Sequence, residues 1–424
     1  MYSHLLYWAK ENYTSIVFLN SNQATGDPYS SGFDAILAVG ARKHICPHED
    51  NIHAFSALKE FANQNKDWIF GFLSYDLKNQ LENLKSENFD GIKMPLMHFF
   101  VPEIVFLFKK NEVNIGTLKG NEFFGMHEKL WDKASNFTIK TGNRVVAEFA
   151  HRVKRDDYIR NVEKIKNHIQ KGDIYEANYC IEFYSEKAEI DPVDAYLRLS
   201  YNNPAPFSCF YRMDEKYLIS SSPERFLAAR GKKLISQPIK GTMKRGNTPD
   251  EDERLKSKLF NNPKERSENV MIVDLVRNDL SRSAKKGTVK VEELFGIYTY
   301  PWVHQMISTV SSTISSNFHF VDAIKLAFPM GSMTGAPKIR AMEIIEESEA
   351  TRRGLYSGAV GYIDPKKDFD FNVIIRSILY NCTDKYLSFM AGSAITIDSE
   401  PENEYEECLL KAASMAHILD ANLY

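Results

Sequence analysis

Lys240 stands in Gln237-Pro-Ile-Lys-Gly-Thr242, between a strand-like apolar run and a glycine. A lysine that ends an apolar strand, just before a residue that lets something approach the backbone, is a candidate amine nucleophile. At a reference pKa of about 10.4 almost none of it is neutral at pH 7, so useful nucleophilicity requires a pKa depressed by roughly 2–3 units. Partial burial and a nearby cation would supply that shift. Taken alone, the residue also suits an ordinary strand end at the surface.

Glu265 and Glu268, and likewise Glu404 and Glu407, lie three apart in helical segments, so each pair projects from one helix face. Lys411 follows Glu407 by four residues on the same stripe. Four carboxylates without cysteine or histidine suit a hard cation kept partly hydrated, and Mg²⁺ fits better than Zn²⁺. Either pair alone would pass for a solvated helix face, but the apolar stretch Asn269–Val276 points to a buried helix behind the first. Phe328–Lys338 is a Gly/Ser/Thr loop opening a helix, which offers backbone N–H groups and a positive dipole end to an anion. It lacks the Gly-Lys-Ser/Thr order of a P-loop. Ala391-Gly-Ser-Ala394 offers another close backbone approach, and Arg376, in an apolar strand, can hold a carboxylate through two hydrogen bonds. His304, in Pro-Trp-Val-His-Gln-Met, stands singly and reads from its surroundings as a hydrogen-bonded core histidine.

Strand-like runs occupy Ser15–Leu19, Trp68–Ser74, Glu103–Phe108 and Glu112–Ile115, and Phe55–Gln64 has helical periodicity. The polar stretch Lys133–Arg144 marks a boundary, giving an N-terminal region of residues 1–145 and a second domain of residues 146–424. Beyond it, Asp156 or Asp157 is expected to cap a helix ending at Gly172, and a strand follows at Ile174–Tyr184. Tyr217–Thr242 reads as a hairpin turning at Arg230-Gly231-Lys232. Asn262, followed by Pro263, opens the helix of Glu265 and Glu268. Val321–Phe328 and Ala336–Glu347 are predicted helices, and Tyr356–Asp364, Asp370–Tyr380 and Leu387–Ile397 predicted antiparallel strands. Ser399 starts the last helix. Strands arrive in runs with helices inserted, which predicts an α+β fold with large antiparallel sheets.

The 424 residues are 43% hydrophobic with a net charge of −3, and no Lys/Arg cluster is interleaved with aromatics, which argues against nucleic-acid binding. Cys46, Cys180, Cys209, Cys382 and Cys408 are odd in number and never in CxxC spacing, so reduced thiols and a cytoplasmic location are expected. No signal peptide is indicated at Met1–Trp8, and no apolar run approaches the roughly 20 residues that span a bilayer.

Seven segments, taken in order, resemble the chorismate-utilising enzymes. They are Gly172-Asp-Ile-Tyr-Glu176, Ser221–Phe226, Pro238–Thr242, Glu265–Glu268 with Met271–Asp279, Pro329–Lys338, Gly358–Tyr362 and Glu404–Lys411. Gly71–Leu77 gives a looser N-terminal match. The resemblance implies sheets packed as a sandwich with surrounding helices, chorismate as substrate and Mg²⁺ as cofactor. Within the family, anthranilate synthases carry alanine at the place of Lys240, and the branch that aminates chorismate at C4 carries lysine. The implied product is 4-amino-4-deoxychorismate, a precursor of para-aminobenzoate and folate, formed through a covalent Lys240 adduct at C2. A separate glutamine amidotransferase subunit would supply the ammonia, because no nucleophile-elbow cysteine occurs here. By resemblance, Glu224 is the acid for the departing C4 hydroxyl and His304 lies on the C4 side. Glu268 and Glu407 bind the metal directly, and Glu265 and Glu404 support it through water. Thr242, Thr334, Tyr362, Arg376, Gly392, Ser393 and Lys411 are the implied substrate contacts. Glu176 departs from the glutamine of many relatives and from the lysine of the water-using branch. The alternatives are an anthranilate synthase, disfavoured by Lys240, and a catalytically idle chorismate- or tryptophan-binding subunit, disfavoured because Lys240, Glu224 and the carboxylates are all present.

Overall fold

The computed structural model describes residues 1–24, 27–47, 53–139 and 148–421. The strands build two large sheets, most of them buried on both faces, and every strand pair in them is antiparallel. In spatial order the first sheet begins Gly335–Ala336, Glu176–Ser185, Tyr386–Ile395, Ser377–Asn381, Lys216–Ser222 and Phe207–Met213. It continues through Ser15–Asn20, Ala35–Val39, Ile104–Lys109 and Glu112–Thr117. The second begins Ile239–Lys244, Val303–Thr313, Lys233–Gln237, Arg225–Arg230 and Phe369–Val373, and ends Ala359–Ile363, Ile69–Leu73, Met97–Val101 and Lys43–Ile45.

The sheets face each other through one buried cluster, with Val17, Tyr211 and Leu218 from the first and Phe70, Phe72 and Val360 from the second. Alternate residues of the first sheet, such as Phe18 and Phe210, pack outward with residues of helices Tyr2–Asn12, Pro192–Asn202 and Pro401–Ile418. On the other side Leu227, Leu234 and Phe371 pack with helices Ala54–Gln64, Pro263–Ser281 and Phe320–Ala327. The result is helices, sheet, sheet, helices: the α+β fold with large antiparallel sheets that the pattern of elements predicted, packed as the sandwich that the resemblance implied. The expected division at residues 145/146 lies outside the described residues. Strands from both sides of it pair in each sheet, as Val17 with Tyr211 and Phe72 with Val360 show.

Several predicted elements differ, and two of the differences make the site. Tyr217–Thr242 is not one hairpin. Lys216–Ser222 belongs to the first sheet, and the chain crosses through Pro223-Glu224 to the second, where the hairpin is Arg225–Arg230 with Lys233–Gln237. Asp370–Tyr380 is likewise two strands, Phe369–Val373 in the second sheet and Ser377–Asn381 in the first, joined by a bend with Arg376 at φ +49°. The two crossings lie side by side: Val373 N donates to Glu224 O at 3.0 Å and Ser221 N to Arg376 O at 3.1 Å. Strand-like runs lie on both sides of each crossing, so a sequence reading joins what the fold separates. The helix of Asp156 and Asp157 starts at Arg155, with both aspartates in its first turn, where the dipole favours them. The last helix starts at Pro401.

Candidate active site

Where the sheets part at the paired crossings, a cleft of about 510 Å³ opens, floored by strand Ile239–Lys244 and walled by helices Pro263–Ser281 and Pro401–Ile418. Lys240 reaches it from a bulge. Between Ile239, opposite Ile307, and Thr242, opposite Gln305, the strand advances three residues while its partner advances two. Such an insertion re-aims the side chain that occupies it. Gly241 follows at φ +100°, and a Cβ there would stand 3.2 Å from Glu265 Oε2 and 3.2 Å from Leu259 Cδ1. Only glycine lets that helix come so close to the lysine. Asn262 caps the helix, accepting from Lys264 N at 3.0 Å and Glu265 N at 3.3 Å, as its sequence signature predicted.

The charges in the cleft are strongly perturbed. Burial pushes the Glu224 carboxyl up to about 7, against the Ser332 hydroxyl and the charge of Lys240. The Lys240 amine goes the opposite way from the sequence expectation. Burial alone would lower it, but the charges of Glu176, Glu268, Glu224 and Glu407 outweigh burial and raise it. With the acidic wall uncompensated, Lys240 is held as an ammonium. Arg376 is lowered by burial and makes no ion pair among the described residues, leaving a cation in want of an anion. Lys411 Nζ bridges Glu407 Oε1 at 2.6 Å and Gly392 O at 2.8 Å.

Ten of the fourteen predicted site residues line this cleft: Lys240, Glu224, Thr242, Arg376, Gly392, Lys411 and the four helical glutamates Glu265, Glu268, Glu404 and Glu407. The other four do not. His304 is 1% exposed and faces away from the cleft, with Nε2 2.9 Å from Asp252 Oδ1 and Nδ1 3.0 Å from Thr299 Oγ1, as the core reading of its surroundings expected. Strand alternation gives the cleft the next residue, Gln305, whose buried Oε1 has no hydrogen-bond partner. Tyr362 lines a second cavity, with Phe207, Arg225 and Asp370; Tyr356 stands in the cleft in its place. The Thr334 hydroxyl turns back to Met330 O and Gly331 O, and the loop gives the cleft Ser332 and Met333. Ser393 contacts Tyr158 Oη at 3.3 Å, and Gly392-Ser393 pairs with Cys180-Tyr179 inside a strand, so the expected close backbone approach is to a neighbouring strand. The signal for Gln305 was its place one residue beyond a core-facing histidine, and that for Ser332 its place in the Gly/Ser/Thr loop; Tyr356 carried none.

Among the described residues no three ligating side chains are gathered into a preassembled metal shell. The donor set still fits Mg²⁺, which is held by one or two carboxylates plus water and substrate oxygens. Burial raises Glu265 and Glu268, and the charge of Glu407 adds to the first, those of Glu265 and Glu176 to the second. A divalent cation would relieve that crowding.

The family described as chorismate binding enzyme matches residues 14–417, and the chain belongs to it. The chain is 35% identical over 363 residues to aminodeoxychorismate synthase component 1 of Bacillus subtilis (strain 168), covering 82% of this chain and 76% of that protein. It is 33% identical over 448 residues to anthranilate synthase component 1 of Bacillus caldotenax, covering 97% and 86%. The crystal structure of anthranilate synthase component I from Streptococcus pneumoniae TIGR4 matches with a TM-score of 0.79 at 26% identity, covering 93% of this chain and 95% of that one.

Proposed function

We propose that this chain aminates chorismate at C4, giving 4-amino-4-deoxychorismate on the route to para-aminobenzoate and folate, with ammonia from a glutamine amidotransferase subunit. The observation that carries this reading over anthranilate formation is Lys240, bulged into the cleft opposite Glu224. The Glu224 carboxyl, pushed up to about 7 and so still partly protonated near neutral pH, donates to the C4 hydroxyl. The Lys240 lone pair forms a bond to C2, the ring double bonds shift, and the C4–O pair leaves as water with the Glu224 proton. Ammonia then bonds to C4, the double bonds shift back, and the C2–N pair returns to Lys240. Arg376 and Lys411 supply cationic partners for the substrate carboxylates. Glu268 and Glu407 would hold Mg²⁺, with Glu265 and Glu404 behind them; the ion would polarise the ring carboxylate and offset the acidic wall.

Purified protein incubated with chorismate, Mg²⁺ and ammonium tests the reading, with the product identified by mass and chromatography. 4-Amino-4-deoxychorismate is expected. Anthranilate as the main product would transfer the chain to the other branch.

A further inference from the structure

Gln305 lines the cleft with Lys240, Glu224 and Thr242, and nothing in the reaction above employs it. Its strand, Val303–Thr313, is paired on both edges at this point: Gln305 stands opposite Thr242 on one side and opposite Tyr298, in strand Lys290–Thr299, on the other. Thr242 closes the bulge that carries Lys240, and its Cα lies about 5 Å from that of Gln305, the spacing of paired antiparallel residues. The amide is a fixed part of the wall beside the lysine.

Gln305 is 1% exposed, and its Oε1 has no hydrogen-bond partner in the protein. A buried acceptor left without a donor costs about 1–3 kcal/mol, and a purely structural glutamine would have found one. The two reactants narrow what can pair with it. Chorismate carries two carboxylates and an enol ether, which only accept hydrogen bonds, and a single hydroxyl, at C4, which donates. Ammonia donates through its N–H bonds; its lone pair must point at C4, so its hydrogens point away and need acceptors. Both donors therefore stand at C4, one before the hydroxyl leaves and one after. A neutral amide oxygen suits both. A carboxylate in its place would favour ammonium, which has no lone pair to give.

We propose that Gln305 Oε1 is the acceptor for the group at C4, first the chorismate hydroxyl and then the incoming ammonia, an assignment that rests on the C4 amination proposed above. In the first half Glu224 donates to the hydroxyl oxygen while the hydroxyl's own hydrogen points at Oε1, and the oxygen leaves as water. In the second half an N–H of ammonia takes the same oxygen, which turns the nitrogen lone pair towards C4. Gln305 gives and takes no proton. It orients the leaving group and the nucleophile in turn.

The test uses Gln305→Met, which keeps the length of the side chain and removes the acceptor. Wild type and variant are assayed with chorismate, Mg²⁺ and ammonium, and for inhibition by an aromatic analogue, benzoate bearing the same enolpyruvyl ether at its meta position and no hydroxyl. In the variant kcat/KM for chorismate and kcat/KM for ammonium should each fall about 10- to 100-fold, while the inhibition constant of the analogue stays within about threefold of wild type. The spared analogue is what a merely structural role would not give. An inhibition constant that rises in step with the loss for chorismate overturns the proposal, because the amide would then shape the cleft or hold a carboxylate. Unchanged kcat/KM for either reactant overturns it too. If Gln305→Met does not fold, Gln305→Ala decides by the same criteria. A wild type that makes anthranilate removes the C4 reading and this assignment with it, whereas a wild type that makes 4-amino-4-deoxychorismate beside a variant with unselective losses sinks the Gln305 assignment alone.

Discussion

Burial and the Lys240 charge pull the Glu224 carboxyl in opposite directions, and burial wins, taking it from 4.5 up to about 7. The sign of the consequence follows. A group whose folded pKa is raised contributes its full stability below the unfolded pKa, and loses it as pH climbs through the folded one. Between pH 4.5 and 7 that loss is about 3 kcal/mol. Glu224→Gln should therefore leave stability unchanged near pH 4 and raise it by up to about 3 kcal/mol at pH 8, while turnover falls roughly 10²- to 10⁴-fold. Urea unfolding at the two pH values reads this directly, and equal stability of variant and wild type at pH 8 would remove the buried-acid argument. Lys240→Ala should give no adduct and should shift residual product towards ortho-aminated species, because C2 is then open to ammonia. A 4-amino product at near wild-type rate from Lys240→Ala would mean that the lysine acts only through its charge. At this scale the sequence identified the lysine and the carboxylates but not the direction of the lysine's pKa. That direction depends on Glu176, Glu268 and Glu407, which lie far along the chain from Lys240 and meet it only in the fold.

The elements hold the site by close approach. Gly241→Ala would keep φ near +100° with a side chain that disfavours it, and would press a Cβ to 3.2 Å from Glu265 and Leu259. A cost of about 1–3 kcal/mol is expected, together with weaker Mg²⁺ dependence of activity, since the helix carrying Glu265 and Glu268 must shift. Differential scanning with and without Mg²⁺ measures both; an unchanged melting temperature would show that the approach is slack. Glu268→Gln and Glu407→Gln should each lose turnover and also the Mg²⁺-induced rise in melting temperature, which a binding ion confers by mass action. Full activity in excess chelator would sink the metal assignment. The helices that bear the carboxylates were legible because Asn262 and Pro263 mark one start and the i, i+3 spacing marks both faces. The crossings at Pro223-Glu224 and at Arg376 were not, because strand-like runs on both sides of them read as one element. His304 entered the site by resemblance alone, against the core reading of its surroundings; facing follows from pairing register, here Thr242 with Gln305, and register is a property of two strands.

At the scale of the whole molecule the long-range pairing was the least legible part, since Ser15–Asn20 lies between Ala35–Val39 and Phe207–Met213, and nothing local specifies so distant a partner. The fold buries Cys180, Cys209 and Cys408, with a functional consequence. Releasing ammonia from glutamine takes an activated thiolate, and a thiolate needs a depressed pKa and access. Burial instead raises Cys46, Cys180 and Cys209, and takes Cys408 up to about 11. Cys408 lies against Tyr158 Oη at 3.5 Å and is 0% exposed. Cys382, partly buried, sits next to the turn after strand Ser377–Asn381, where no catalytic histidine accompanies it among the hydrogen bonds of the described residues. The reaction proposed above consumes ammonia, and the four thiols that burial raises are not suited to making it. The purified chain with chorismate, Mg²⁺ and glutamine should form no aminated product, while replacing glutamine by ammonium should restore turnover, more strongly as pH rises and more of the ammonium is free ammonia. Adding a glutamine amidotransferase subunit should make glutamine the better donor at neutral pH. Glutamine-dependent turnover by the isolated chain, retained when all five cysteines are replaced by serine, would place ammonia release in this chain by a chemistry other than thiolate attack; turnover lost on replacing one of them would name the thiol and overturn the division of labour between two subunits.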